Sequence, residues 1–202
     1  MNIRYPLYEG VYRILTIKQY CHDKRLLRFG MTCQSLTRKD NTNYSPLIII
    51  RMNIGLVDVD GHNFPNFALM RLSAYNKAKG HRVEWASPAQ RYDKVLASKV
   101  FTFTPDYDYN LLDAGEVIGG GTGYDIAGRL PEAVENSRMM DYSIYPDYPF
   151  SLQFFSRGCI RKCPFCLVRE KEGYIRAVEP VELNPKGNWI EVLDNNFFAN
   201  PQ

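Results

Sequence analysis

The sequence predicts an α/β fold built on a parallel sheet, and three observations carry that expectation. Met52-Asn53-Ile54-Gly55-Leu56-Val57-Asp58-Val59-Asp60 is a largely apolar run of strand length, the pattern of a strand buried on both faces. An apolar stripe at helical spacing follows through Phe67, Ala68, Leu69, Leu72, Ala74, Tyr75 and Ala78. Short apolar runs then recur at intervals that leave room for crossovers between parallel neighbours.

Between the first strand and the helix, Asp60-Gly61-His62-Asn63 supplies turn and capping residues, and Pro65 suits the first helical position, where its missing N–H would have no partner. Arg71, Lys77 and Lys79 belong to the solvent face, and Gly80 fits a C-terminal cap. Val83-Glu84-Trp85 reads as the second strand and Tyr92 to Phe101 as a third, so a right-handed βαβ crossover is expected. Thr104-Pro105-Asp106 opens a short helix through Leu111 and Leu112, and Glu116-Val117-Ile118 is a further strand running into Gly119-Gly120-Gly121-Thr122-Gly123. The pattern is that of a Rossmann-like parallel-sheet domain over residues 52–140.

Ligands of open α/β sheets collect beyond the carboxyl ends of the strands, where Asp58 to His62 and the glycine run both fall. The glycine run leads into Tyr124, Asp125 and a turn-rich stretch instead of a helix, so it lacks the context of a dinucleotide site. Tight turns and close backbone packing account for it better. His22 and His81 stand in charged surroundings and are expected to face solvent.

Hydrophobic residues make up 45% and charged residues 23% of the 202-residue chain, as in an ordinary soluble globular protein. A formal net charge of +3 is too small to indicate nucleic acid, and no apolar run approaches the length of a membrane span. Arg4, Glu9 and Arg13 break the N-terminus where a signal peptide would be apolar, so the cytoplasm is the expected location. Residues 1–51 carry nine Lys or Arg against three acids and no sustained periodicity. They read as a basic, poorly organised extension, with Met52 as a candidate true start and a small helical cap as the alternative.

Five cysteines are an odd number, and Cys159, Cys163 and Cys166 fall within eight positions, which suits a metal site in a reducing compartment better than disulfides. Cys21 and Cys33 read as ordinary thiols in the extension. The aromatic and aliphatic residues from Phe150 to Phe155 suit a strand that feeds directly into Ser156-Arg157-Gly158-Cys159, with Gly158 freeing the backbone for a sharp turn. The cysteines follow as C-x3-C-x2-C, so three thiolates can converge on one cluster. A 4Fe–4S cluster has four irons, and three cysteine ligands leave one iron open to an exogenous ligand. Arg157, Arg161 and Lys162 either offset negative charge there or are solvated loop residues.

These residues resemble the signature of the radical SAM superfamily, C-x3-C-x-Φ-C, with Phe165 as the aromatic before the last cysteine. The resemblance implies that Cys159, Cys163 and Cys166 hold an iron–sulfur (4Fe–4S) cluster whose open iron chelates S-adenosyl-L-methionine, with Phe165 near the adenine. An electron from the cluster, supplied by a reductant such as a flavodoxin or ferredoxin, would break a sulfonium C–S bond and typically yield a 5′-deoxyadenosyl radical that attacks an unknown substrate. Trp189 to Phe198 would be the second strand of a radical SAM partial barrel beginning near residue 141, with Asp194 or Asn195 in place of a Gly-Gly-Glu-like segment that contacts the methionine amino group.

The order of the two parts is similar to the branch in which a B12-binding-like domain precedes the catalytic barrel, which brings in cobalamin as a further cofactor. Asp60-Gly61-His62 matches the start of that family's D-x-H-x-x-G motif, and Pro65 stands where the motif has its glycine. A turn histidine supporting the helix start is the competing reading of His62. Residues 141–202 hold only two strands of such a barrel, so an incomplete catalytic unit with little turnover alone is expected, with the missing barrel portion on another chain. The rival from another class is a non-catalytic zinc- or iron–sulfur-binding module in which the loop staples two segments together; zinc would want a fourth ligand.

Overall fold

The computed structural model describes residues 51–200; the extension, with Cys21, His22 and Cys33, lies outside the described residues. The four-stranded sheet is parallel throughout, in the order β2 (Arg82–Trp85), β1 (Asn53–Asp58), β4 (Lys94–Ser98), β6 (Val117–Gly120). Leu56 pairs with Trp85 on one side and Leu96 on the other, and Leu96 in turn pairs with Ile118. The connection after β2 crosses back over β1, so the strand order reverses between β1 and β4, where Asp58 stands opposite Ser98. This is the α/β parallel sheet that the apolar runs predict.

Alternation along each strand divides the core in two. Ile54, Leu56, Leu96 and Ile118 face one side, packed with Leu69 and Met70 of α1 (Phe67–Ala78), while Val57, Val95 and Ala97 face the other with Tyr92 and Leu112. Gly55 brings β1 close to that second layer: a Cβ there would stand 3.0 Å from Ala86 Cβ and 3.2 Å from the Tyr92 ring.

Helix α1 is capped by Asn66, not opened by Pro65 as expected. The Asn66 Oδ1 accepts from the N–H groups of Ala68 and Leu69 at 3.2 Å each, and its Nδ2 donates to Ser98 Oγ at 3.0 Å. A side chain that can both cap the helix and tie it to the end of β4 outcompetes proline, which moves one residue upstream. Gly80, at φ +84, follows the C-cap as predicted. The buried face of the helix includes Ser73, apolar by position but not by type, because its hydroxyl donates to Asp141.

Three other expectations change in detail. The run from Tyr92 to Phe101 breaks at Asp93, whose carboxylate accepts from the Asn53 N–H at 2.7 Å; before the break β3 (Arg91–Tyr92) pairs with β5 (Asp113–Ala114), and after Ser98 the chain leaves the sheet with Phe101 exposed. The helix expected over 104–112 is a single 3-10 turn at Tyr109–Leu111, capped by Asp108. Tyr107 and Tyr109, two residues apart, both pack on the second core layer, a spacing that an α-helix would place on different faces, so the chain reaches Tyr109 without helix and makes only one turn there. His81 is partly buried, with Nδ1 accepting from the Met52 N–H at 3.4 Å; burial pushes its pKa down.

The second half of the chain, which follows the short helix α2 (Glu132–Glu135), joins the same core. Met140, Ile144, Tyr145, Phe150 and Leu152 pack with Ile54, Leu56 and Leu69, and the Trp85 indole donates to the Ile144 carbonyl at 3.0 Å. Strand β7 (Phe150–Gln153) is fully buried and pairs in parallel with β10 (Trp189–Val192), Leu152 opposite Glu191. Both strands end earlier than the apolar runs suggest. The carboxyl end of β7 gives way to a hairpin of β8 (Ser156–Arg157) and β9 (Arg176–Ala177), which encloses the cysteine loop.

Candidate metal site

The cysteine loop is anchored at its first cysteine. Gly158, buried with φ +85, makes the expected turn; a Cβ at that position would stand 2.5 Å from the Tyr174 carbonyl oxygen. Cys159 is buried, its N–H donates to the Gly173 carbonyl at 3.3 Å, and its own carbonyl accepts from Arg169 at 2.9 Å. Its sulfur accepts the backbone N–H of Arg161 at 3.4 Å and the Nδ2 of Asn196 at 3.2 Å. These donors, the Arg161 N–H first and the Asn196 amide second, pull the Cys159 pKa below that of an ordinary thiol.

Cys163 and Cys166 lie further out, half-buried, joined by a turn in which the Cys166 N–H donates to the Cys163 carbonyl at 3.1 Å. All three cysteines are free thiols. Among the described residues no group of three His, Cys, Asp or Glu side chains stands close enough to hold a metal ion, so the loop carries its donors on one segment without drawing them together. The chemistry of the donor set nevertheless fits an iron–sulfur cluster: three thiols, the first held as a thiolate-favouring sulfur by two N–H donors.

Helix α3 (Val168–Glu172) braces the loop through Glu172. That carboxylate forms an ion pair with Arg157 at 2.6 Å, accepts the Gly158 N–H at 2.9 Å and accepts the Asn195 amide at 3.2 Å. Arg157 also lies over the Phe154 ring at 4.1 Å. Burial lowers the Arg157 pKa and Glu172 opposes that shift, so this cation is a structural clamp, whereas Arg161 and Lys162 are exposed. Lys171 reaches from α3 to the Thr122 hydroxyl, joining the loop to the glycine run; burial first and Arg157 second lower its pKa. In the glycine run itself, Gly121 has φ +101 and a Cβ there would overlap the Lys99 carbonyl, the close backbone packing expected of it.

Strand β10 delivers the other side of the site. Asp194 accepts the Phe155 N–H at 2.8 Å and the Ser156 hydroxyl at 2.5 Å, which fastens the end of β10 to the end of β7. Asn195 is turned to Glu172, and the Phe165 ring is 89% exposed. The structure thus brings Asp194, Asn195 and the cysteine loop together, with the first two engaged in holding the loop. Sequence reading missed Glu172 and Asn196. Nothing in Arg169-Glu170-Lys171-Glu172 distinguishes one acid from the other, and Asn196 lies one residue beyond the pair selected.

His62 and the strand ends form a separate cluster. The His62 ring lies on Trp85, centroids 4.1 Å apart, with the edge of Tyr145 at 5.8 Å. Asp60 directs its carboxylate to the N–H groups of Val100 and Phe101 and to the Thr104 hydroxyl. His62 thus stacks on an indole at an exposed position, and Asp60 is committed to backbone and hydroxyl donors of the 100–104 segment. Asp58 accepts the Tyr145 hydroxyl at 2.6 Å and the Asn66 amide at 3.5 Å; burial, the largest influence, raises its pKa against these two bonds. Among the described residues no helix is long and apolar enough to cross a membrane.

No family model matches this chain, and no curated protein or solved structure does so either.

Proposed function

We propose that the chain binds an iron–sulfur cluster through Cys159, Cys163 and Cys166 and uses it for reductive cleavage of S-adenosylmethionine. The observation that carries the reading is the placement of the C-x3-C-x2-C loop at the carboxyl end of buried β7, with its first sulfur held by two N–H donors and its base clamped by Glu172 and Asp194. When bound, a cluster with three protein thiolates would supply one open iron for the amino and carboxylate groups of S-adenosylmethionine and one electron for its C–S bond. The parallel pairing of β7 with β10 supports the expected first two strands of a partial barrel.

The protein residues in this reading bind and orient. Cys159 is the fixed ligand, and Cys163 and Cys166 close on the cluster from the outer part of the loop. Asp194 and Asn195 keep the loop docked against the two strand ends, and exposed Phe165 is available to an adenine ring.

Anaerobic reconstitution of the full chain with iron and sulfide, reduction, and electron paramagnetic resonance with and without S-adenosylmethionine test the reading. A signal of a reduced 4Fe–4S cluster that changes on adding S-adenosylmethionine is expected, and replacing any of the three cysteines with alanine abolishes it. Stoichiometric zinc with no such signal would replace the proposal with a structural zinc module.

A further inference from the structure

Resting on the cluster reading above, we infer that Asn196 is a positioning residue that tunes the cluster through its side-chain N–H bond to the Cys159 sulfur. Three consecutive residues after β10 each engage the cysteine loop or a segment that flanks it. Asp194 holds the Phe155 N–H and the Ser156 hydroxyl, Asn195 reaches Glu172, and Asn196 places its Nδ2 3.2 Å from Cys159 Sγ. Asn196 opens the 3-10 turn Phe197–Ala199, and its backbone is thereby fixed between two bonded neighbours and a hydrogen-bonded turn.

The chemistry of the donor decides its role. A primary amide carries two N–H groups, does not titrate, and donates to sulfur in every redox state. Cysteine sulfur bound to iron keeps lone pairs that accept such bonds, and hydrogen bonds to cluster sulfurs are among the determinants of reduction potential. Reduction adds negative charge that spreads onto the thiolates, so an N–H donor at Cys159 favours the reduced state and raises the potential. Glu172 is engaged by Arg157 and the Gly158 N–H, and Asn196 directs its side-chain amide at this sulfur. The tie also runs from β10 to the cysteine loop, so the position of the sulfur depends on the pairing of β10 with β7.

The test uses the reconstituted full chain in redox titrations followed by electron paramagnetic resonance. Asn196→Leu keeps the branched shape and removes the donor; Asn196→Gln keeps a donor on a longer stem. Asn196→Leu is expected to lower the reduced-to-oxidised ratio about tenfold at a fixed potential, about 59 mV for a one-electron couple, with Asn196→Gln recovering part of the shift. An unchanged potential in Asn196→Leu at full iron content would overturn the tuning role while leaving the cluster reading intact. A second measurement does not depend on either variant folding: with asparagine side chains labelled by nitrogen-15, pulsed resonance on the reduced wild-type cluster is expected to detect nitrogen coupling. Absence of that coupling overturns the inference, and absence of any cluster in wild-type protein overturns both readings.

Discussion

Removing the Tyr145 hydroxyl tests how the second half of the chain is fastened to the parallel sheet. In Tyr145→Phe the ring keeps its packing against Trp85, 5.2 Å between centroids, and against Tyr148, 6.2 Å, so the loss is confined to the bond that Tyr145 donates to Asp58 at 2.6 Å. Asp58 would keep only the longer Asn66 bond at 3.5 Å. A hydrogen bond to a charged partner is worth about 1.5–3 kcal/mol and a neutral one about 1 kcal/mol, so the cost depends on whether Asp58 is ionised.

The pH dependence has a defined sign. Burial raises the folded-state pKa of Asp58 above 3.8, so its contribution is fully present below that value and is lost as pH rises through the folded pKa. Deleting the hydroxyl removes a bond that favours the carboxylate, which moves the folded pKa further up and widens that window. The expected destabilisation is therefore roughly 1 kcal/mol near pH 4 and about 2–3 kcal/mol near pH 7.5. At about 2–4 °C per kcal/mol for a chain of this size, the melting point at pH 7.5 falls by about 4–12 °C. Urea titrations followed by the fluorescence of Trp85, which contacts Tyr145, measure both values. Equal stability of the two proteins at pH 7.5, or a larger loss in acid than at neutral pH, would refute the reasoning.

Leu152→Ala, at a fully buried position in the core shared with Ile54 and Leu69, is expected to cost about 2–5 kcal/mol. Single-tryptophan variants retaining Trp85 or Trp189 should report one coincident shift, and a shift seen by Trp189 alone would show that the two halves unfold separately. Asp141→Asn probes the link between α1 and the following segment, where Asp141 binds Ser73 at 2.5 Å and Lys77 at 2.6 Å. Burial pushes the Asp141 pKa up, but Lys77 and the Ser143 and Ser73 bonds outweigh it and the net shift is downward. Its stabilisation is thus present above the unfolded pKa and lost as pH falls through the folded one. With Lys77 38% exposed, solvent screening limits the expected loss to about 1–2 kcal/mol at pH 7, and the loss shrinks as pH falls below 3.8 through the lowered folded pKa; chemical denaturation at neutral and acid pH checks both.

The parallel sheet was legible in the sequence because strands buried on both faces require long apolar runs, as at Ile54 to Val57, and helix α1 because its stripe repeats at helical spacing. The cysteine loop was legible for a different reason: its chemistry is local, confined to eight consecutive positions after one strand. Strand ends were less legible. Asp93 interrupts an apolar run only because its carboxylate meets the Asn53 N–H forty residues away, and the helix expected over 104–112 shrinks to one 3-10 turn because a second core layer receives both Tyr107 and Tyr109.

By itself the sequence determined which residues can enter a core and which carry side chains of a metal-ligating type, since both follow from residue type and short-range period. Only the tertiary structure decided which partners they meet. Ser73 is buried because Asp141 comes to it, Glu172 serves the loop because Arg157, Gly158 and Asn195 converge on it, and Asn196 faces Cys159 because β10 pairs with β7. Each of those contacts joins groups from 14 to 68 positions apart, and at such separations residue type says what a group can bond to without saying what the fold will bring within reach.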